Sequence, residues 1–143
     1  MNKNSYLQLK EKHQQEVNSF PMEFAFSQKQ FAEGMEKLGL KPEDTDKIYS
    51  MSGTGGFYKK TDASLLHEMF NRHETEMQQS INNSEVFIFD MFNYELSNHE
   101  YTYTGEIDQT LDALDLTIEE VNNNKKLLDG LKKACKYQKD NDY

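Results

Sequence analysis

Tyr6, Leu9, His13, Val17 and Phe20 recur at helical spacing, and Pro21 follows them. The spacing predicts a first helix over about 5–19, stopped by the proline. MEFAF (22–26) reads as a short extended piece entering the core. Ser27 with Gln30 three residues on has the form of a capping box, and Phe31, Met35 and Leu38 make the stripe of a second helix. Gly39 stands where a left-handed residue ends a helix. KPEDTD (41–46) then reads as a solvated turn.

KIYSM (47–51) and FYKK (57–60) flank the one glycine-rich stretch, SGTGG. A phosphate loop would place its glycines directly before a helix N-terminus. Here Phe57, Tyr58, Lys59 and Lys60 intervene, and no G-x-x-x-x-G-K-[ST] pattern is present. The stretch therefore reads as a hairpin, with Phe57 and Tyr58 expected to be exposed and able to seed a contact.

A long helix follows from Thr61 or Asp62 to about Ile81, with Leu66, Met69, Phe70, His73, Met77 and Ile81 on one face. Asn82 and Asn83 are expected to break it, and Ser84 to cap the next. The segment from about Glu85 to His99 is apolar nearly all round, interrupted only by a stripe of Asp90, Asn93, Ser97 and Glu100, as in a central helix. VFIF within it also suits a buried strand. HEYTYTGE (99–106) reads as a turn or short strand, and 106–116 as a short helix. Thr117 and Glu120 form another capping box. A last helix over about 124–138 carries Leu127, Leu128, Leu131, Ala134 and Cys135 on one side, and the tail is expected to fray from about 139. Together these elements predict a mostly helical α+β fold of five to six helices and one small hairpin, in a single domain over 1–143.

The single cysteine, Cys135, excludes an internal disulfide. No apolar run approaches the ~18 residues of a membrane span, and MNKNSYLQLKEK has no apolar core of a signal peptide. A cytoplasmic protein is expected.

The formal charge of −9 is unevenly distributed. Residues 61–122 hold fourteen acids and one base, Arg72, while the remainder carries +4. Direct nucleic-acid binding through that segment would be opposed by phosphate repulsion. The simpler reading of these acids is a solvated face; the sharper one is a docking surface for a basic protein, offering carboxylates where phosphates would lie. The candidate partner-binding residues are Glu68, Glu74, Glu76, Asp108, Asp112, Glu119 and Glu120.

His13 and His73 lie within apolar stripes, and Glu95 and His99 stand one turn apart on the apolar helix. Imidazole and carboxylate suit transition metals, so these four form an alternative metal site of a helical enzyme. The simpler reading pairs a buried Glu95 with a neighbouring His or Tyr. H-E-x-x-H is absent, the serines lack a nucleophile-elbow context, and Cys135 sits on a core stripe. No cofactor is expected, and a non-enzymatic role is favoured.

FPMEFAFSQKQFAEGMEKLGL, DKIYSMSGTGGFYKKTDASLLHEMF, YELSNHEYTYTG and LDALDLTIEEV resemble a family of small uncharacterised proteins. That family occurs in gut Firmicutes and Bacteroides and their phages and mobile elements. The resemblance covers about residues 5–135 and brings no catalytic residues with it. It implies an accessory protein, with an anti-CRISPR-like role by analogy: inhibition of a basic nucleic-acid-handling partner such as a CRISPR effector nuclease.

Overall fold

The structure is a computed structural model and describes residues 3–141. The order along the chain is α1 (Ser5–Ser19), β1 (Met22–Phe24), α2 (Gln28–Lys37), β2 (Ile48–Met51), β3 (Gly56–Lys59), α3 (Ala63–Asn83), α4 (Glu85–Asn98), α5 (Tyr101–Thr104), α6 (Asp108–Ala113), α7 (Ile118–Asn122) and α8 (Lys125–Asp140). Short 3-10 turns at Thr45–Lys47 and Lys60–Asp62 lead into β2 and α3. The fold is the expected mostly helical α+β class, but with eight α-helices among the described residues and a third strand. The backbone gathers into two compact units: residues 13–74, and the residues up to Lys12 together with those from Thr75 onward.

In the first of these, the sheet has order β1-β3-β2 and is antiparallel throughout. Met22 faces Tyr58 on one side of β3, and Tyr49 faces Tyr58 on the other. MEFAF thus joins the hairpin as a strand, and Ala25 N–H donates to Gly55 O (3.0 Å) to extend the pairing. Because β3 is central, Phe57 and Tyr58 are buried, which corrects the expectation that they protrude. Phe57 packs with Met35 of α2 and with Leu38, which caps its C-terminus. The exposed aromatics of the sheet and its flanking loop are instead Phe24, Phe26 and Tyr49. Gly55 has φ +74, and a Cβ there would stand 2.8 Å from the Phe26 ring, so the loop glycines serve turn and ring packing together.

Helix α2 begins at Ser27, whose side chain accepts from Gln30 N–H, while Gln30 Oε1 accepts from Phe26 N–H. It ends in a Schellman motif: Leu40 N–H donates to Met35 O and Gly39 N–H to Glu36 O, with Gly39 at φ +77.

The second unit is built round α4. Phe87, Ile88, Met91, Phe92 and Leu96 are buried along it, joined by Tyr6, Ile81, Leu111, Val121, Leu127, Leu131 and Ala134. VFIF is therefore helical. Asn82 and Asn83 stay within α3, and Ser84 caps α4 by accepting from Phe87 N–H. In HEYTYTGE, His99 and Glu100 form the expected turn, but residues 101–104 make a short helix and no strand. Glu100 takes a left-handed conformation (φ 58) that ends α4, Tyr101 turns inward, and Gly105 (φ 70) closes the short α5. Helix α8 runs through Asp140, past the expected fraying point; the last two residues of the tail lie outside the described residues.

Gly130 sits where α8 meets α4. A Cβ at Gly130 would lie 2.3 Å from Ile88 Cγ2. Gly130→Ala gains about 1 kcal/mol of helix propensity, but overpacking costs roughly 1–3 kcal/mol. We expect net destabilisation in urea unfolding, and expect the cost to vanish or reverse in an Ile88→Ala background. An equal cost in both backgrounds would contradict this packing.

Candidate functional site

Three clusters of polar chemistry are built by the fold. The first lies in the unit of residues 13–74. His13 and His73 stack face to face, with ring centroids 3.9 Å apart and planes 14° apart. The Glu16 carboxylate, one helical turn after His13, bonds both the Arg72 guanidinium and His73 Nε2, the latter at 3.1 Å. The Arg72 hydrogen bond, reinforced by that of His73, holds the Glu16 carboxyl at about 2, far below its ordinary value. The arrangement clamps α1 to α3.

The second cluster surrounds Glu95, only 3% exposed on α4. Tyr6 O–H donates to Glu95 Oε1 at 3.4 Å, Lys10 Nζ lies 3.7 Å from the same oxygen, and His99 Nε2 lies 3.4 Å from Oε2 without hydrogen-bond geometry. Burial, and then the negative Glu95 beside it, push the Tyr6 phenol well above its ordinary range, so Tyr6 stays a donor. A buried carboxylate without such partners would be expensive. Nearby, Asp90 Oδ2 accepts from Ser5 N–H and Ser5 Oγ (2.8 and 2.6 Å), tying the start of α1 to α4.

The four residues of the alternative metal site therefore occur as two pairs, His13 with His73 and Glu95 with His99, one in each unit. Among the described residues, no group of three or more His, Cys, Asp or Glu is arranged to hold a metal ion.

The third cluster is acidic. Thr110 and Leu111 are buried on the inner side of α6, with Thr110 Oγ1 donating to Glu95 O at 3.3 Å, and Val121 is buried on α7. With those anchors inside, Glu106, Asp108, Asp112, Asp115, Glu119 and Glu120 are all exposed. None of the six makes an ion pair among the described residues, and residues 100–124 contain no Lys, Arg or His. Part of this acidity is local chemistry. Asp108 and Glu119 stand in the first turns of α6 and α7, where the helix dipole favours them. Glu120 Oε1 accepts from Thr117 N–H and Oγ in the capping box. Asp115 holds a left-handed turn (φ 54) at the end of α6.

Of the remaining predicted acids, Glu68 and Glu74 are exposed on α3 in the unit of residues 13–74. Glu76 is half-buried and meets Lys12 Nζ at 3.3 Å. Asp108 and Asp112 stand on α6, and Glu119 and Glu120 on α7. Sequence reasoning missed Glu16, Lys10 and Asp90, whose partners are remote in the chain; the polar stripe of α4 was the available hint for Asp90.

A model described as a family of unknown function (DUF7659) matches residues 5–137. The chain belongs to this family. No curated protein and no solved structure matches the chain. All three clusters fall within the family's span. Among the described residues, no helix is long and apolar enough to cross a membrane.

The Glu16 clamp has a defined pH signature. A carboxyl whose pKa is lowered on folding stabilises the protein above its unfolded value and loses that contribution as pH falls through the folded one. Wild type should melt above Glu16→Gln at neutral pH, and the gap should narrow from about pH 5 to about pH 3 as Glu16 begins to protonate. A gap of constant size over that range would contradict the clamp.

Proposed function

We propose that the chain is a non-enzymatic binding protein whose acidic α6–α7 segment docks on a basic, nucleic-acid-handling protein and obstructs its nucleic-acid site. The observation that carries this reading is the run of six exposed carboxylates over residues 106–120, with no cation in the segment and none paired to it among the described residues. Here the inner residues Thr110, Leu111 and Val121 fix the backbone of a one-sign surface before any partner arrives, which lowers the ordering cost of binding.

The binding residues narrow accordingly. Asp108, Asp112 and Glu119 lead, with Glu120 partly committed to its cap and Glu76 to Lys12. Glu68 and Glu74 are secondary. Lysines and arginines that grip phosphates in a partner's groove would meet these carboxylates instead, giving fast, salt-sensitive association. An anti-CRISPR-like inhibitor of an effector nuclease is one form of this function, in the cytoplasm of a bacterial host.

Capture from host lysate at low and at high salt tests the reading. The expected result is a basic nucleic-acid-binding partner retained at low salt, released at high salt, and displaced by added nucleic acid. Asp108→Lys, Asp112→Lys and Glu119→Lys together should weaken capture at least about tenfold while circular dichroism stays unchanged. Capture indifferent to both salt and the triple reversal, or no basic partner at either salt, would overturn it.

A further inference from the structure

The α6–α7 acids have a counterpart of opposite sign on α8. Lys132, Lys136 and Lys139 lie at positions i, i+4 and i+7, one stripe of the helix. Beside them is a groove of about 370 Å³, lined by Ile107, Leu131, Cys135, the three lysines and Asp140. Its size falls in the range of small-molecule sites, and its wall is mostly apolar. Leu131 is buried, Cys135 half-buried, and the three lysines are exposed, so the floor is apolar and the rim cationic.

The rim is not neutralised from within. None of the three lysines forms an ion pair among the described residues. Asp140 is the one acid in the lining, leaving a local excess of positive charge on a chain whose formal charge is −9. The wall is also preorganised. Tyr101, buried behind α8, stands under Lys139, whose Nζ is 5.9 Å from the ring centroid. Burial, with the Cys135 thiol nearby, pushes the Tyr101 phenol up to about 12.

We propose that this groove binds a small amphipathic anion, an apolar body seated on Ile107, Leu131 and Cys135 with its carboxylate held at Lys132, Lys136 and Lys139. The two halves of the site ask for different chemistry. The floor offers no charged partner and rewards desolvation of hydrocarbon. The rim supplies charge-assisted hydrogen bonds that a neutral ligand cannot use. Inorganic anions satisfy only the rim, and neutral hydrocarbons only the floor. Both should bind much more weakly than a molecule carrying both parts. The groove borders the acidic segment through Ile107, but octanoate binding and partner capture are read separately, so either can fail alone.

The experiment is a titration of the full chain, labelled with nitrogen-15, with octanoate, octanamide and acetate, followed by amide chemical shifts. Octanoate should give saturable shifts centred on α8 and Ile107, while octanamide and acetate bind at least about tenfold more weakly. Lys136→Glu with Lys139→Glu should weaken octanoate about tenfold or more and leave octanamide unchanged; both positions are exposed, so the fold should persist. Lys125→Glu, on the same helix but outside the groove lining, should leave octanoate binding unchanged. Octanoate shifts that do not saturate, that centre elsewhere, that octanamide matches, or that survive the double reversal would each overturn the proposal.

Discussion

The approach of Ile88 to the bare backbone at Gly130 is the constraint on which the α4-centred unit depends. A glycine at that point lets α8 come onto α4 at a distance that no side chain would permit. The close approach brings Leu127, Leu131 and Ala134 into the same core as Phe87, Met91 and Phe92. It also decides what lies outside. Once α8 commits that stripe inward, Lys132, Lys136 and Lys139 must face water, and the groove beside Cys135 follows. Helices α6 and α7 are then held by few residues, Thr110, Leu111 and Val121, each buried against this core.

Charge in that unit is unevenly placed. Residues 106–120 carry six exposed carboxylates and no cation, while Lys132, Lys136 and Lys139 on α8 form no ion pair among the described residues. Carboxylates that are paired do something else. Glu95, Asp90 and Glu16 are each met by groups on a different helix, and each fixes the course of α1. Paired acids in this protein organise the backbone; unpaired acids remain available to a partner. This division, more than the total of −9, gives the docking proposal its physical content, because net charge alone specifies no surface.

What the sequence made legible was local. Ser27, Ser84, Gly39 and the Thr117–Glu120 pair mark helix ends through bonds spanning a few residues, and all four behave as their residue types dictate. The apolar girth of 85–98 placed α4 at the centre. Features that depend on distant partners were hidden. Glu16 and Arg72 are 56 residues apart, and Ser5 and Asp90 are 85 apart. β1 has three residues, too few to show a period, and it exists because the far strand of a hairpin had an open edge. That edge also buried Phe57 and Tyr58, which a two-stranded reading left exposed. The positive φ at Glu100 and Asp115, uncommon for residues other than glycine, hid α5 and the end of α6 from turn rules.

The central claim is that binding occurs through α6 and α7. Hydrogen exchange of this chain, free and in complex with its captured basic partner, addresses it directly. Amides of residues 106–122 should gain protection on complex formation, while those of the β-sheet keep their free-state rates. Protection confined to the sheet, with 106–122 exchanging as in the free chain, would contradict it.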